Sequence, residues 1–338
     1  MTGSPAAGVP HVAEGPWFDE LERGQTFDSA PSLHLSEGRA AVHQAILGER
    51  LRLPLDDHLA SAVTGRLGLA SPALVWNVAI GQSTLATQHV RANLFYRRLA
   101  LLRQPALADS LRTVTTVVGL RENARREGRA PTGLVGLHIR TVDQEDRPVL
   151  DFYRCAMIPL RSDAPTGHAD DLDRIGRETP APRPDELVPE WDLEAWRRLV
   201  RPVEPPAAGS VLVVSGGDVV SSAPELARLT LNVAAVHHDR AAGGGTRLVY
   251  GGHTIGLALA QAVRALPDLA TVLAWESCDH VGPVREGDTL RSRVTVERVR
   301  QLSSGWTVLD LRSEVTADGD GAGDLRPVLD WRFSALVG

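Results

Sequence analysis

Two neighbouring runs of this chain hold the residue types best suited to chemistry. One is Leu231-Asn232-Val233-Ala234-Ala235-Val236-His237-His238-Asp239. The other is Leu248-Val249-Tyr250-Gly251-Gly252-His253-Thr254. A histidine titrates near neutrality, so His237 suits a base that takes a proton and returns it. A glycine opening a helix presents a free backbone N–H at the positive end of the helix dipole. Without a Cβ it also lets a carbonyl oxygen come close. His237 and Gly251 together therefore suit a reaction that moves a proton while a carbonyl oxygen gains charge. Asn232 orients water or substrate by hydrogen bonding and is neither acid nor base.

Several nearby groups compete for a helping role. Gly252, His253 and Asp239 are the auxiliary candidates, and His238, Asp279, His280 and Glu49 remain open. Each has a plain structural reading as well. His253 falls in the first turn of a buried helix, where a satisfied core histidine is equally expected. His238 and Asp239 read as loop-stabilising, and Asp279 and His280 as a solvated strand end.

Composition removes other chemistries. All 36 basic residues are arginines, which excludes lysine Schiff bases. No basic stripe interleaved with aromatics marks a nucleic-acid partner. Cys155 and Cys278 have no metal spacing and no framework. The run Asp318-Gly319-Asp320-Gly321 resembles a calcium loop only in composition and lacks the closing glutamate, so no metal is expected. No apolar run approaches the ~20 residues that span a bilayer. The first fifteen residues carry no secretory pattern, so a reducing cytoplasm is the expectation.

The elements that must position these residues come in two copies. Arg-Pro-Val-Leu-Asp occupies residues 147–151 and recurs at 326–330, 179 positions later. Asp109-Ser110-Leu111-Arg112-Thr113 recurs at the same offset as Asp288-Thr289-Leu290-Arg291-Ser292. Residues 73–76 and 80–81 match 247–250 and 255–256 at an offset of 174–175. The chain divides into a loose tail (1–16), an N-terminal unit (17–160), a proline-rich linker with one amphipathic helix (161–210) and a C-terminal unit (211–338). In each unit a short helix and a loop precede one apolar helix, over residues 72–84 and 251–265. Three alternating strands then follow: 111–120, 133–142 and 148–158, and again 288–299, 306–316 and 327–336. An antiparallel sheet wrapped around one buried helix is the hotdog arrangement. The expected fold is α+β, a tandem hotdog whose two sheets join.

The residues around His237 and Gly251 resemble the MaoC-like enoyl-CoA hydratases, the hydratase 2 family. Its motif runs Asp-x-Asn-Pro-x-His before a loop and a glycine entry into the central helix. His237 matches the catalytic histidine, and Gly251 the glycine of the oxyanion hole. Asn232 stands at the aspartate position, Ala234 at the asparagine and Ala235 at the proline. Pro283-Val284-Arg285-Glu286-Gly287-Asp288-Thr289-Leu290 resembles the family's Pro-Val-x-x-Gly-Asp-x-Leu strand entry. The opening at 18–26 and the stretch 152–159 resemble one subgroup, the mesaconyl-CoA hydratases, also called methylmalyl-CoA dehydratases.

The resemblance implies a hydro-lyase acting on a short, branched acyl-CoA of the mesaconyl type, with no cofactor beyond the CoA of the substrate. Alternatives are a (3R)-3-hydroxyacyl-thioester dehydratase for longer chains, a hotdog thioesterase, and a non-catalytic acyl-CoA binding protein. The acyl-CoA is the expected partner, with neither nucleic acid nor membrane. Monomer and homodimer both stay open. Aligning Asp56 with Asp239 sets Glu49 opposite Asn232, Pro54 opposite His237, and Asn77 or a neighbour opposite Gly251-Gly252. The first copy thus reads as degenerate, lining the acyl-CoA channel. A substrate carboxylate would need an arginine, and Arg91, Arg97 and Arg98 are undistinguished candidates.

Overall fold

The computed structural model describes residues 12–178, 181–201, 203–319 and 325–338. Most of the expected tail, up to residue 11, and the turn at 320–324 lie outside the described residues.

The first copy runs β1 (Thr26–Phe27), β2 (Leu33–His34), α1 (Glu37–Leu47), α2 (Arg52–Leu55), α3 (Asp57–Thr64) and α4 (Pro72–Gln82). Four long strands follow: β3 (Ala92–Leu101), β4 (Ser110–Glu122), β5 (Thr132–Val142) and β6 (Pro148–Pro159). The connecting segment carries α5 (Leu193–Leu199), whose Trp196 is buried against Trp306. The second copy runs β7 (Val211–Val213), β8 (Asp218–Val219), α6 (Ala223–Leu229), α7 (Ala235–His238) and α8 (Gly251–Ala265). It ends with β9 (Leu269–His280), β10 (Thr289–Gln301), β11 (Thr307–Asp318) and β12 (Arg326–Val337).

All long strands join one open antiparallel sheet, in the order β1-β4-β5-β6-β3-β9-β12-β11-β10-β7. The halves meet where β3 pairs with β9. The sequence reading found three strands per copy and missed both of these. β3 hides because it is bulged between Arg97 and Ala100, with Arg98 at φ 56°, so its side chains lose the two-residue alternation. β9 hides because helices and neighbouring strands cover it, leaving an almost continuous apolar run, Leu269 to Trp275.

The β3–β9 register reveals the symmetry. Tyr96 pairs with Cys278, and Leu99 pairs with Trp275. Shifting each partner by 179 positions converts one pair into the other. The central helices obey the same shift. Gln82 donates to the Leu111 carbonyl at 2.8 Å, and Gln261 to the Leu290 carbonyl at 2.9 Å. The 174–175 offset read from residues 73–81 is therefore a chance similarity. Pro72 lies opposite Gly251, and Asn77 opposite Gly256. Before the helices the shift is 183, since α2 and α7 coincide with Pro54 at the His237 position. The four-residue difference falls in the connection to the central helix. The first copy fills it with α3, and the second with a loop containing Gly243-Gly244-Gly245.

Every residue of α4 is buried, as are twelve of the fifteen in α8. Trp76 of α4 meets Trp275 and Trp331 edge-on, with ring centroids 4.9 and 6.2 Å apart. Truncating such a side chain costs about 3–5 kcal/mol. The helices are thereby fixed against the sheet, and the start of α8 is held where a ligand can reach it.

Candidate active site

A cavity of about 450 Å³ opens between the two copies. The second copy contributes Asn232, His237, Tyr250, Gly251, Thr254 and His280, and the first contributes Thr84, Thr87, Asn93, Tyr96 and Arg154. No aspartate or glutamate lines it among the described residues.

His237 stands in the short α7 turn. Its Nδ1 meets the Leu248 carbonyl at 2.8 Å, which fixes the proton on Nδ1 and leaves the Nε2 lone pair free. Burial pushes its pKa down to about 4, helped by the charges of His238 and Arg154, while the Leu248 contact opposes the shift. The ring is therefore neutral at pH 7. The first copy clamps the segment beneath it. Val233 donates its N–H to Thr84 Oγ1 at 2.9 Å, and Ala235 donates to the Gln88 carbonyl at 2.9 Å. The His238 Nε2 bonds the Asn232 carbonyl at 2.7 Å, so His238 holds the loop from outside the cavity.

Asn232 is buried. Its Oδ1 accepts the Ala234 N–H at 2.9 Å, and its Nδ2 has no protein partner. That assignment leaves a donor, not an acceptor, unpaired at the cavity.

Gly251 opens α8 with no side-chain cap. His280 lies against it: a Cβ at residue 251 would stand 2.7 Å from His280 Nε2. That nitrogen is enclosed and has no partner, and burial pushes the ring's pKa down to about 4. The sequence reading placed His280 at a solvated strand end; it lines the cavity instead. The terminus of β9 dips under the α8 entrance, and that was invisible while β9 was unrecognised.

The other candidates are not brought to the cavity. Gly252 packs on the Asn77 side chain, and Asp239 accepts the Ala241 N–H beyond α7. Asp279 pairs with Arg97 at 2.7 Å. His253 is wholly buried, and burial pushes its pKa down to about 4. Glu49 lies in the first copy's own core. It accepts a hydrogen bond from Ser71 and stands 3.9 Å from His43, which Asn77 contacts at 3.0 Å. Burial pushes its carboxyl up to about 7, against the Ser71 hydrogen bond. In that copy Pro72 replaces Gly251, so the helix start has no N–H to offer.

Sequence reasoning missed Arg154. It sits on the inward face of β6 between Phe152 and Ala156, buried to 2% exposure. The signal was present: an arginine occupies the apolar phase of an alternating strand. Its counterpart 179 positions on is Phe333.

No family model matches the chain. A solved structure from Mycobacterium tuberculosis, of a conserved hypothetical protein with a double hotdog fold, is 58% identical. The match covers 95% of this chain and 98% of that one, with a TM-score of 0.90. Mesaconyl-CoA hydratase of Cereibacter sphaeroides is 28% identical over 88% of each chain. Beta-methylmalyl-CoA dehydratase of Chloroflexus aurantiacus is 27% identical over 96% of this chain and 97% of its own. With its two-copy sheet and its glycine-led central helix, the chain is a double hotdog protein like its Mycobacterium tuberculosis relative, and it is similar along most of its length to a named hydratase and a named dehydratase.

Proposed function

We propose that this protein adds water reversibly across the double bond of an enoyl-CoA thioester. The observation that carries the reading is one cavity holding a neutral histidine with a free Nε2 and an uncapped helix start at glycine. The thioester oxygen takes the hydrogen bond of the Gly251 N–H, next to His280 Nε2. Charge that builds there is favoured by the α8 dipole. Water, oriented by Asn232 Nδ2, loses a proton to His237 Nε2 as its oxygen bonds to C3. The double-bond electrons move towards C2 and the thioester oxygen. The proton on His237 then passes to C2, and the histidine returns to its neutral state. Dehydration runs the same steps backwards. With no aspartate or glutamate among the described residues that line the cavity, His237 carries the proton both ways.

Arg91 and Arg285 stand at the exposed mouth, where guanidinium groups suit the phosphates of CoA. For the acyl group we favour a short branched chain of the mesaconyl type, supported by the name of the Cereibacter relative. We read the protein as cytoplasmic, acting on a soluble thioester; among the described residues no helix is long and apolar enough to cross a membrane.

The test is loss of the enoyl-thioester absorbance with crotonyl-CoA and mesaconyl-CoA, wild type beside His237→Ala. Hydration in the wild type alone supports the reading. Release of free CoA, read with a thiol dye, would make the protein a thioesterase. Saturable binding without turnover, unchanged in His237→Ala, would make it a binding protein.

A further inference from the structure

Among the described residues, four enclosed polar atoms of the cavity lining have no partner, and all four are nitrogens: Arg154 Nε, Asn93 Nδ2, Asn232 Nδ2 and His280 Nε2. The first three are obligate donors. Arg154 has no carboxylate within ion-pair distance among the described residues. Its Nη2 donates to the Ser83 carbonyl at 3.0 Å and Thr87 Oγ1 at 2.9 Å, and its Nη1 meets Asn93 Oδ1 at 3.4 Å. A buried, unpaired guanidinium is costly, and natural cores rarely keep one without use.

The fold does not require it. Phe333, at the equivalent place on β12, packs in apolar core, and α8 keeps the same position against the sheet without any charge there. Duplication therefore supplies the control: of the two equivalent positions, the charge exists only at the one that lines the cavity.

We propose that Arg154 binds a carboxylate on the acyl chain, so that the cavity selects thioesters of dicarboxylic acids over their uncharged isosteres. The proposal rests on the acyl-thioester reading above. A carboxylate is acceptor-only and planar, and it can accept from the unpaired Arg154 Nε–H while Asn93 Nδ2 donates to its second oxygen. The first copy thus supplies specificity to the second copy's chemistry. Binding there would also cancel the positive charge that helps hold His237 neutral.

The experiment compares two unreactive ligands with the same carbon skeleton, 2-methylsuccinyl-CoA and 2-methylbutyryl-CoA, by titration calorimetry. The wild type should bind the carboxylated one at least about tenfold tighter. Arg154→Gln should bring the ratio close to one without weakening 2-methylbutyryl-CoA, and Arg154→Lys should restore part of it. Equal binding in the wild type, or a ratio that survives Arg154→Gln, overturns the proposal. Should Arg154→Gln fail to fold by circular dichroism, the wild-type ratio and the Arg154→Lys ratio decide. Turnover separates this from the hydratase reading. Hydration of crotonyl-CoA with no carboxylate preference sinks the Arg154 assignment alone. A carboxylate preference without hydration of crotonyl-CoA or mesaconyl-CoA sinks the hydratase reading and leaves Arg154 standing.

Discussion

Pro72 and Gly251 hold the same place, the first residue of the central helix, in two copies of one fold. One has no N–H and the other has no side chain. Both suit a helix start, but only glycine can polarise a carbonyl. Gly251→Pro should therefore keep the helix and lose about 10²–10³ in kcat, the usual loss for one oxyanion donor. Both variants bring a Cβ against His280, and Gly251→Ala alone keeps the N–H, so the loss in Gly251→Pro beyond that in Gly251→Ala reads the N–H. Steady-state kinetics on crotonyl-CoA, with thermal melts as the folding control, check both; an unimpaired Gly251→Pro would remove the oxyanion role.

His237 should set the acidic limb of the pH profile. It acts as a base only when neutral, and burial lowers its pKa to about 4. The kcat/KM value should stay level from pH 8 down to about 5 and fall only as His237 protonates. A limb near 6.5, the ordinary histidine range, would point to another group.

Asn232→Asp tests the missing acid. The carboxylate can keep the Ala234 N–H that Asn232 Oδ1 now accepts. It would add a proton carrier beside His237, and hydration of crotonyl-CoA should rise about tenfold or more, within the range of general acid–base effects. Asn232→Ala should lower stability by about 1–3 kcal/mol, because it leaves that buried N–H unpaired.

Stability should fall as pH drops from 6.5 towards 4. His237, His253 and His280 have folded pKa values pushed down to about 4, and His43 to about 3, each by burial. Below 6.5 the unfolded chain binds protons that the folded chain refuses, so acid favours unfolding. Glu49 acts oppositely. Its folded pKa is raised to about 7, so its contribution is present below about 4.5 and is lost as pH rises to about 7. Glu49→Gln should leave activity unchanged and raise the melting temperature at pH 8 relative to wild type. Melting curves between pH 4.5 and 8 read both effects; a flat profile contradicts them.

The sequence alone carried the duplication, the two apolar helices, six of the eight long strands and the motif around His237 and Gly251. These are local signals: periodicity, spacing and turn chemistry survive without knowledge of the fold. Only the tertiary structure decided which neighbours matter. His253, two residues after Gly251, is wholly buried within α8, whereas His280, twenty-nine residues on, arrives beside Gly251 through β9. Glu49 reaches its own copy's core, and Arg154 crosses from the first copy into the second copy's cavity. The central strands stayed hidden because bulges and two-sided burial erase alternation. The register between the two central helices was fixed by the paired hydrogen bonds of Gln82 and Gln261, where the similarity of residues 73–81 to 247–256 had suggested a shift four or five residues shorter than that of the strands. Burial and pairing are set by contacts between segments far apart in the chain, and it is those contacts that open one helix start onto a cavity and bury its twin.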